Sequence, residues 1–214
     1  PGAAGRPVPS GFRKAQRLLA LAERWKLPVV SLVDTPGAYP GVEAEATGLA
    51  GEIARTLEAM SSVATPTVAV VVGEGGSGGA LALALADRLL MQSGSFFSVI
   101  GPEGAATILY RDASRAPELA ESLRITAPEL LALGIIDEIV PEPAGGAASD
   151  FDEAARMLER AIVGQLGPLR KRRTARLLKA RRTRYRTIGM AFIEGRPPER
   201  QKTTDPADDT TMSA

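Results

Sequence analysis

Apolar positions along the chain follow two periods. In FRKAQRLLALAERW, Phe12, Ala15, Leu18, Leu19, Ala22 and Trp25 fall on one stripe and Arg13, Lys14, Arg17 and Arg24 off it, the 3.6-residue spacing of an amphipathic helix. KLPVVSLVDTPG then predicts a buried strand: Pro28 opens it, Val29 to Val33 are mostly aliphatic, and Asp34-Thr35-Pro36-Gly37 closes it in a turn. The pair recurs, with a helix over EATGLAGEIARTLEAMSSVA and a strand over TPTVAVVV. Ala80 to Ala86 continue as a short small-residue helix, RLLMQ and FFSVI predict two strands, and PEGAATILYR and SRAPELAESL two helices. TAPELLALGIIDEIVPEP predicts a helix ended by Gly134 and a strand from Ile135 to Val140. Nearly continuous apolar strands alternating with helices imply α/β architecture with mainly parallel strands. AGGAASD marks a boundary, so residues 1–147 form the core and 148–190 a helical extension. That extension holds a helix over about 151–163 and a second one opened by Pro168, with a partial apolar stripe of Leu169, Ala175, Leu177, Leu178 and Ile188. The polar, Pro-rich 191–214 predicts a disordered tail.

Composition narrows the chemistry. The 214 residues include no cysteine and no histidine, which removes thiolate sites, disulfides, the commonest general base and the commonest metal ligand. No run approaches the ~18 apolar residues of a membrane span, and PGAAGRPVPSGF lacks the pattern of a signal peptide; a soluble, cytoplasmic protein is the expectation. The net charge of +1 hides an asymmetry. Leu169 to Arg186 carries ten cations and no acid, leaving 16 cations against 25 acids elsewhere, a net of −9.

The candidate chemistry lies in Val70 to Asp87, VVVGEGGSGGALALALAD, where five of the seven residues from Gly73 to Gly79 are glycine. GxGxxG after a strand suggests a dinucleotide site, yet the next strand ends in Ser93-Gly94 and not in the acid that would hold a ribose. No Lys-Ser/Thr follows the glycines, which excludes a P-loop. Gly75-Gly76-Ser77-Gly78-Gly79 also fits GxSxG, the nucleophile elbow. Ser77 would need a base, and the chain has no histidine and no lysine between Lys26 and Lys171. Two readings remain: a tight turn with close packing, or backbone N–H groups of Gly78, Gly79 and Ala80 held open as an oxyanion hole, worth ~3–4 kcal/mol per donor. The parallel-strand topology places DTPGAYPG on the same edge. Asp34 there is a turn former with a general base as the alternative, and Glu103 of Gly101-Pro102-Glu103-Gly104 is a first-turn acid of a helix with a catalyst as the alternative.

The runs PVVSLVDTPGAYPGVEAE, TVAVVVGEGGSGGALALALADRLLM, SVIGPEGAATILY and GIIDEIVPEPAGGA resemble the carboxyltransferase alpha subunit of multi-subunit acetyl-CoA carboxylase. The likeness covers about Arg6 to Ala147, with RRTRYR a weaker echo of the family's C-terminal helix. DTPGAYPG and GEGGSGGALA together are more diagnostic than either glycine pattern alone. The resemblance implies a crotonase/ClpP-like ββα superhelix and transfer of a carboxyl group from carboxybiotin, on a carrier protein, to acetyl-CoA, giving malonyl-CoA for fatty-acid synthesis. It implies that Gly78, Gly79 and Ala80 polarise the biotin ureido carbonyl. The carboxybiotin and acyl-CoA pocket falls on Pro36, Gly37, Ala38, Tyr39, Gly75, Gly76, Ser77, Pro102, Glu103 and Gly104, with no metal in this chain. Release of CO2 leaves a basic biotin nitrogen able to take the acetyl proton, so histidine is dispensable. The implied partners are a beta-type carboxyltransferase subunit, a biotin carboxyl carrier protein and acetyl-CoA, in an alpha2beta2-like hetero-oligomer. The family's N-terminal segment, with the first β-hairpin of the crotonase unit, is not in this sequence, so an open sheet edge and dependence on the beta partner are expected. The alternatives are action on another acyl-CoA or thioester, by transfer or decarboxylation, and a non-catalytic scaffold for a beta-type subunit. For the basic segment, a docking helix or a surface for CoA or carrier phosphates is the first reading and nucleic acid the second.

Overall fold

The structure is a computed structural model and describes residues 5–190. β1 (Val29–Thr35), β2 (Thr67–Gly76), β3 (Arg88–Gln92) and β5 (Glu138–Val140) lie side by side in the order β1-β2-β3-β5, each pair parallel. The short β4 (Phe96–Ser98) pairs in parallel with Glu74 to Gly76 at the end of β2. β2 holds the centre because TVAVVV offers an apolar side chain to both faces in turn. On one face Ala69 and Val71 pack with Leu19 of α1 (Pro9–Trp25), Met60 of α3 (Leu49–Ser62), Ala80 and Ala84 of α4 (Ser77–Ala84) and Leu130 of α7 (Ala127–Ala132). On the other, Val68 and Val70 meet Leu158, Ile162 and Leu169 of α8 (Phe151–Arg170) and Leu177 of α9 (Thr174–Thr187). α8 and α9 are therefore the second layer over the sheet. α5 (Pro102–Tyr110) and α6 (Ala116–Leu123) form a satellite cluster around Ala105, Ala106 and Leu119.

Several expectations change in detail, each for a local reason. The second predicted helix breaks at Gly48, which takes φ +86° between α2 (Val42–Ala46) and α3; only glycine adopts that conformation without strain. β1 is an edge strand, so Val30 and Leu32 stay 41% and 57% exposed where a buried strand was expected. Of the α1 stripe, Phe12 and Leu19 are buried, whereas Leu18 and Trp25 face solvent. FFSVI yields three strand residues, and the predicted 135–140 strand shortens to β5. Pro168 sits in the last turn of α8 and not at the start of the basic helix, which begins at Thr174. The predicted tail, 191–214, lies outside the described residues. Among those described, no helix is long and apolar enough to cross a membrane.

The basic helix is fastened by a buried arginine. Arg181 donates from Nε and Nη2 to the two carboxylate oxygens of Asp87 at 2.9 and 2.7 Å. Its remaining N–H groups reach the carbonyls of Met60, Val63 and Thr65 at 2.9, 2.9 and 3.0 Å. Asp87 also accepts from the N–H of Thr67 at 2.8 Å. Beside it Arg184 donates to Asp137 at 2.6 Å, and the Tyr185 hydroxyl donates to the Ala86 carbonyl at 2.9 Å; burial pushes the Tyr185 pKa upward. Thr67, Asp87 and Asp137 all lie where parallel strands begin, so α9 closes the amino edge of the sheet.

Candidate functional site

The opposite, carboxyl edge gathers three loops. Thr35 of β1 pairs beside Gly75 of β2, and Phe97 of β4 pairs with Gly75 from the other side. The turn from β2 into α4 is thus flanked by Pro36–Tyr39 on one side and by the loop from β4 into α5, with Pro102, Glu103 and Gly104, on the other. The Thr35 hydroxyl bonds the N–H and carbonyl of Gly37, each at 3.1 Å. Gly37 takes φ +130°, which a side chain would forbid. Asp34 accepts the N–H of Glu74 at 3.0 Å, so the acid ties this loop to the glycine turn 40 residues on.

The glycines of the turn separate by what surrounds them. A Cβ on Gly73 would come within 2.4 Å of Asp34 Oδ1, one on Gly75 within 2.5 Å of the Phe97 ring, and one on Gly76 within 2.3 Å of the Pro36 carbonyl oxygen. A Cβ on Gly79 would sit 2.5 Å from the Ala38 nitrogen. Close packing against backbone or a ring therefore accounts for Gly75, Gly76 and Gly79, whereas the neighbour of Gly73 is a side-chain carboxylate. Gly78 differs: its Cβ would find ordinary contact with Ile53 Cγ2 at 3.6 Å, so packing gives no reason for a glycine there. Close packing at Gly79 also means that substitution there disturbs the Pro36 loop together with any site.

The start of α4 is chemically unfinished. Gly76 is its N-cap, no side chain caps it, and no acid lies in the first turn. Helix geometry leaves the N–H groups of Ser77, Gly78 and Gly79 without an intrahelical acceptor and commits that of Ala80 to the Gly76 carbonyl. Free donors at the positive end of a helix dipole suit a partly negative oxygen. Ser77 is exposed and takes φ +58°, a left-handed conformation that costs a non-glycine residue roughly 1 kcal/mol or more. Gly79 and Ala80 are buried, Gly78 half-buried. Tyr39 lies back over its own loop, its ring filling the space a Cβ would need on Gly41. Glu103 occupies the first turn of α5 behind Pro102, where an acid complements the helix dipole.

Sequence patterns do not signal two features of this edge. The chain before α1 straps the Pro36 loop, with the Tyr39 N–H donating to the Pro7 carbonyl at 3.0 Å, and Arg6 comes with it to Gly37. The basic segment goes the other way. Its helix closes the amino edge, and β2 spans about 30 Å from Thr67 to Gly76 at ~3.3 Å per residue. α9 therefore docks on the body of this chain at the edge opposite its own glycine turn.

Residues 3–189 match the family described as acetyl co-enzyme A carboxylase carboxyltransferase-like, so the likeness runs past Ala147 through α9. The acetyl-coenzyme A carboxylase carboxyl transferase subunit alpha of Deinococcus radiodurans is 51% identical over 190 residues, covering 89% of this chain and 60% of that protein. The subunits beta/alpha protein of Salinispora arenicola is 51% identical over 189 residues, covering 88% of this chain and 33% of its own length. The chain thus spans about three-fifths of the former and a third of the latter. Among solved structures, transcarboxylase 12S with methylmalonyl-coenzyme A and methylmalonic acid bound superposes with TM-score 0.66 at 24% identity, over 80% of this chain and 33% of that one. A Pseudomonas malonate decarboxylase hetero-tetramer in complex with coenzyme A gives 0.62 at 22%, over 86% and 74%. These likenesses show the fold alone, the crotonase type.

Proposed function

The chain belongs to the acetyl co-enzyme A carboxylase carboxyltransferase-like family, and from that premise we propose that it supplies the biotin-side half of a carboxyltransferase site making malonyl-CoA from acetyl-CoA. The observation that carries this is the open start of α4 between two loops, with a glycine at 78 that packing does not require. A cradle of bare backbone with room at Gly78 fits a ureido carbonyl. When bound, the carrier's biotin delivers the carboxyl group. The N–H groups of Gly78 and Gly79 would hold its ureido oxygen, in the manner of an oxyanion hole. Ala80 stands behind them as a buried wall, and Pro36, Gly37 and Ala38 fix Gly76 and Gly79 from outside. Pro102 to Gly104 bound the far side of the pocket. No side-chain base is required of this chain, in keeping with its lack of histidine.

The beta-type subunit, the biotin carboxyl carrier protein and the hetero-oligomer belong to the same proposal. The beta-type subunit is supported by the relative whose name joins beta and alpha subunits in one chain. Val99, Ile108 and Leu109, 78%, 71% and 66% exposed beside Pro102–Gly104, form an apolar surface suited to a subunit contact. The test is radiolabelled carboxyl transfer from carboxylated biotin carrier to acetyl-CoA and other acyl-CoAs, using the full-length protein with and without a beta-type subunit. Transfer to acetyl-CoA that requires both subunits is expected. Preference for another thioester overturns the substrate assignment, and absence of any transfer leaves a scaffold role.

A further inference from the structure

We propose that Arg6 holds the migrating carboxylate beside the glycine turn, whether that group arrives on the carrier or departs as the malonyl thioester; the inference rests on the carboxyltransferase reading above. The strap before α1 puts the side chain there. Gly5 lies against Pro36, a Cβ on it falling 3.9 Å from the proline Cδ. The Pro7 carbonyl accepts the Tyr39 N–H at 3.0 Å. Between these two anchors Arg6 Nη1 comes within 4.0 Å of the point where Gly37 would carry a Cβ. The same point is 3.5 Å from Ser77 Cβ and 3.6 Å from the Gly76 carbonyl oxygen. Because Gly37 cannot carry a side chain at φ +130°, the guanidinium reaches the seam where the Pro36 loop meets the start of α4.

Arg6 is half-buried and takes part in none of the ion pairs among the described residues. Asp34, the acid closing β1, is engaged with the Glu74 N–H. A planar guanidinium in no ion pair among the described residues matches a carboxylate in two parallel hydrogen bonds. Of the two acyl partners in the proposed reaction, malonyl-CoA carries a free carboxylate and acetyl-CoA does not. A carboxylate site therefore distinguishes them, while a site for CoA phosphates does not.

The experiment compares wild type, Arg6→Met and Arg6→Lys in the full-length protein with its beta-type subunit. It measures calorimetric Kd for malonyl-CoA and acetyl-CoA, and KM and kcat for transfer in both directions. Losing a charge-assisted pair of hydrogen bonds corresponds to roughly 10- to 100-fold in affinity. For Arg6→Met the expected result is a rise of about that size in Kd and KM for malonyl-CoA, in KM for the carboxylated carrier, or in both, and these arms identify the source of the carboxylate. Acetyl-CoA Kd stays within about twofold, and Arg6→Lys recovers part of the loss because it keeps the charge without the fork. Equal weakening of malonyl-CoA and acetyl-CoA would assign Arg6 to phosphates or to loop structure and overturn the inference. So would unchanged constants in a complex that transfers carboxyl groups. A wild-type complex without transfer refutes the carboxyltransferase reading instead, and the two Kd values still judge Arg6 separately.

Discussion

The two edges of this sheet handle exposed backbone and charge in opposite ways. At the amino edge, Arg181 makes five hydrogen bonds and pairs with Asp87 where both side chains are at most 3% exposed. Beside it Arg184 pairs with Asp137 and the Ile135 carbonyl, and only its Nε is buried without a partner. At the carboxyl edge the first N–H groups of α4 have no cap, Ser77 is held in a left-handed conformation, and half-buried Arg6 has no counter-ion among the described residues. Paired polar groups dominate the edge that holds the fold together. Unsatisfied ones, maintained by packing glycines around them, mark the edge available for chemistry.

The contrast breaks first at the amino edge. Arg181→Met should destabilise the full-length protein by about 3–5 kcal/mol, because Asp87 would stay buried without its partner. Denaturant unfolding measures the loss, and adding Asp87→Asn should recover part of it; an effect below about 1 kcal/mol would show the pair to be dispensable. Next come two glycines one residue apart. Gly79→Ala forces a methyl into the Ala38 backbone and should cost about 1–3 kcal/mol. Gly78→Ala meets ordinary contact at Ile53 and should stay within about 0.5 kcal/mol of wild type. Equal losses at the two positions would erase the distinction between packing and functional glycines.

The smallest effect concerns Glu52, which ties α3 to α1. Hydrogen bonds from Arg55, Gln16 and Arg13 outweigh its burial and hold its pKa at about 2, down from the ordinary 4.5. The unfolded chain takes up the proton first on acidification. This carboxylate's contribution is therefore complete above pH 4.5 and is lost as pH falls from there toward 2. Glu52→Gln should flatten the decline of stability in that window and lower stability at neutral pH. An unchanged acid limb in pH-dependent denaturant unfolding would contradict the assignment.

Much of this contrast was legible in the sequence, but unevenly. The apolar runs of β1, β2 and β3 and the loops after them placed DTPGAYPG and GEGGSGG on one edge, because parallel strands deliver their loops to the same side. Period and composition did not say which glycines pack and which do not: that depends on Pro36, Ala38 and Phe97, which come from other segments of the chain. Arg181 was hidden for a different reason. On a helix of ten-cation character an arginine reads as solvated, and only the meeting with Asp87, 94 residues earlier, makes it a core residue. The same limit applies to Arg6, whose place beside Gly37 follows from the Tyr39–Pro7 hydrogen bond and from no local pattern. Gly48 shows the same limit: the helical period runs across both Gly48 and Gly51, yet the first takes φ +86° and breaks the helix while the second stays inside α3.

The claim that the start of α4 is the working edge is tested most directly by one paired measurement on Gly78→Val in the full-length protein with its beta-type subunit: carboxyl transfer and thermal unfolding of the same preparation. The account predicts a melting temperature close to wild type with kcat/KM lowered by about 10²–10³-fold, the size of losing an oxyanion donor. Full transfer activity in that variant, or a loss of activity that merely follows its unfolding, would contradict it.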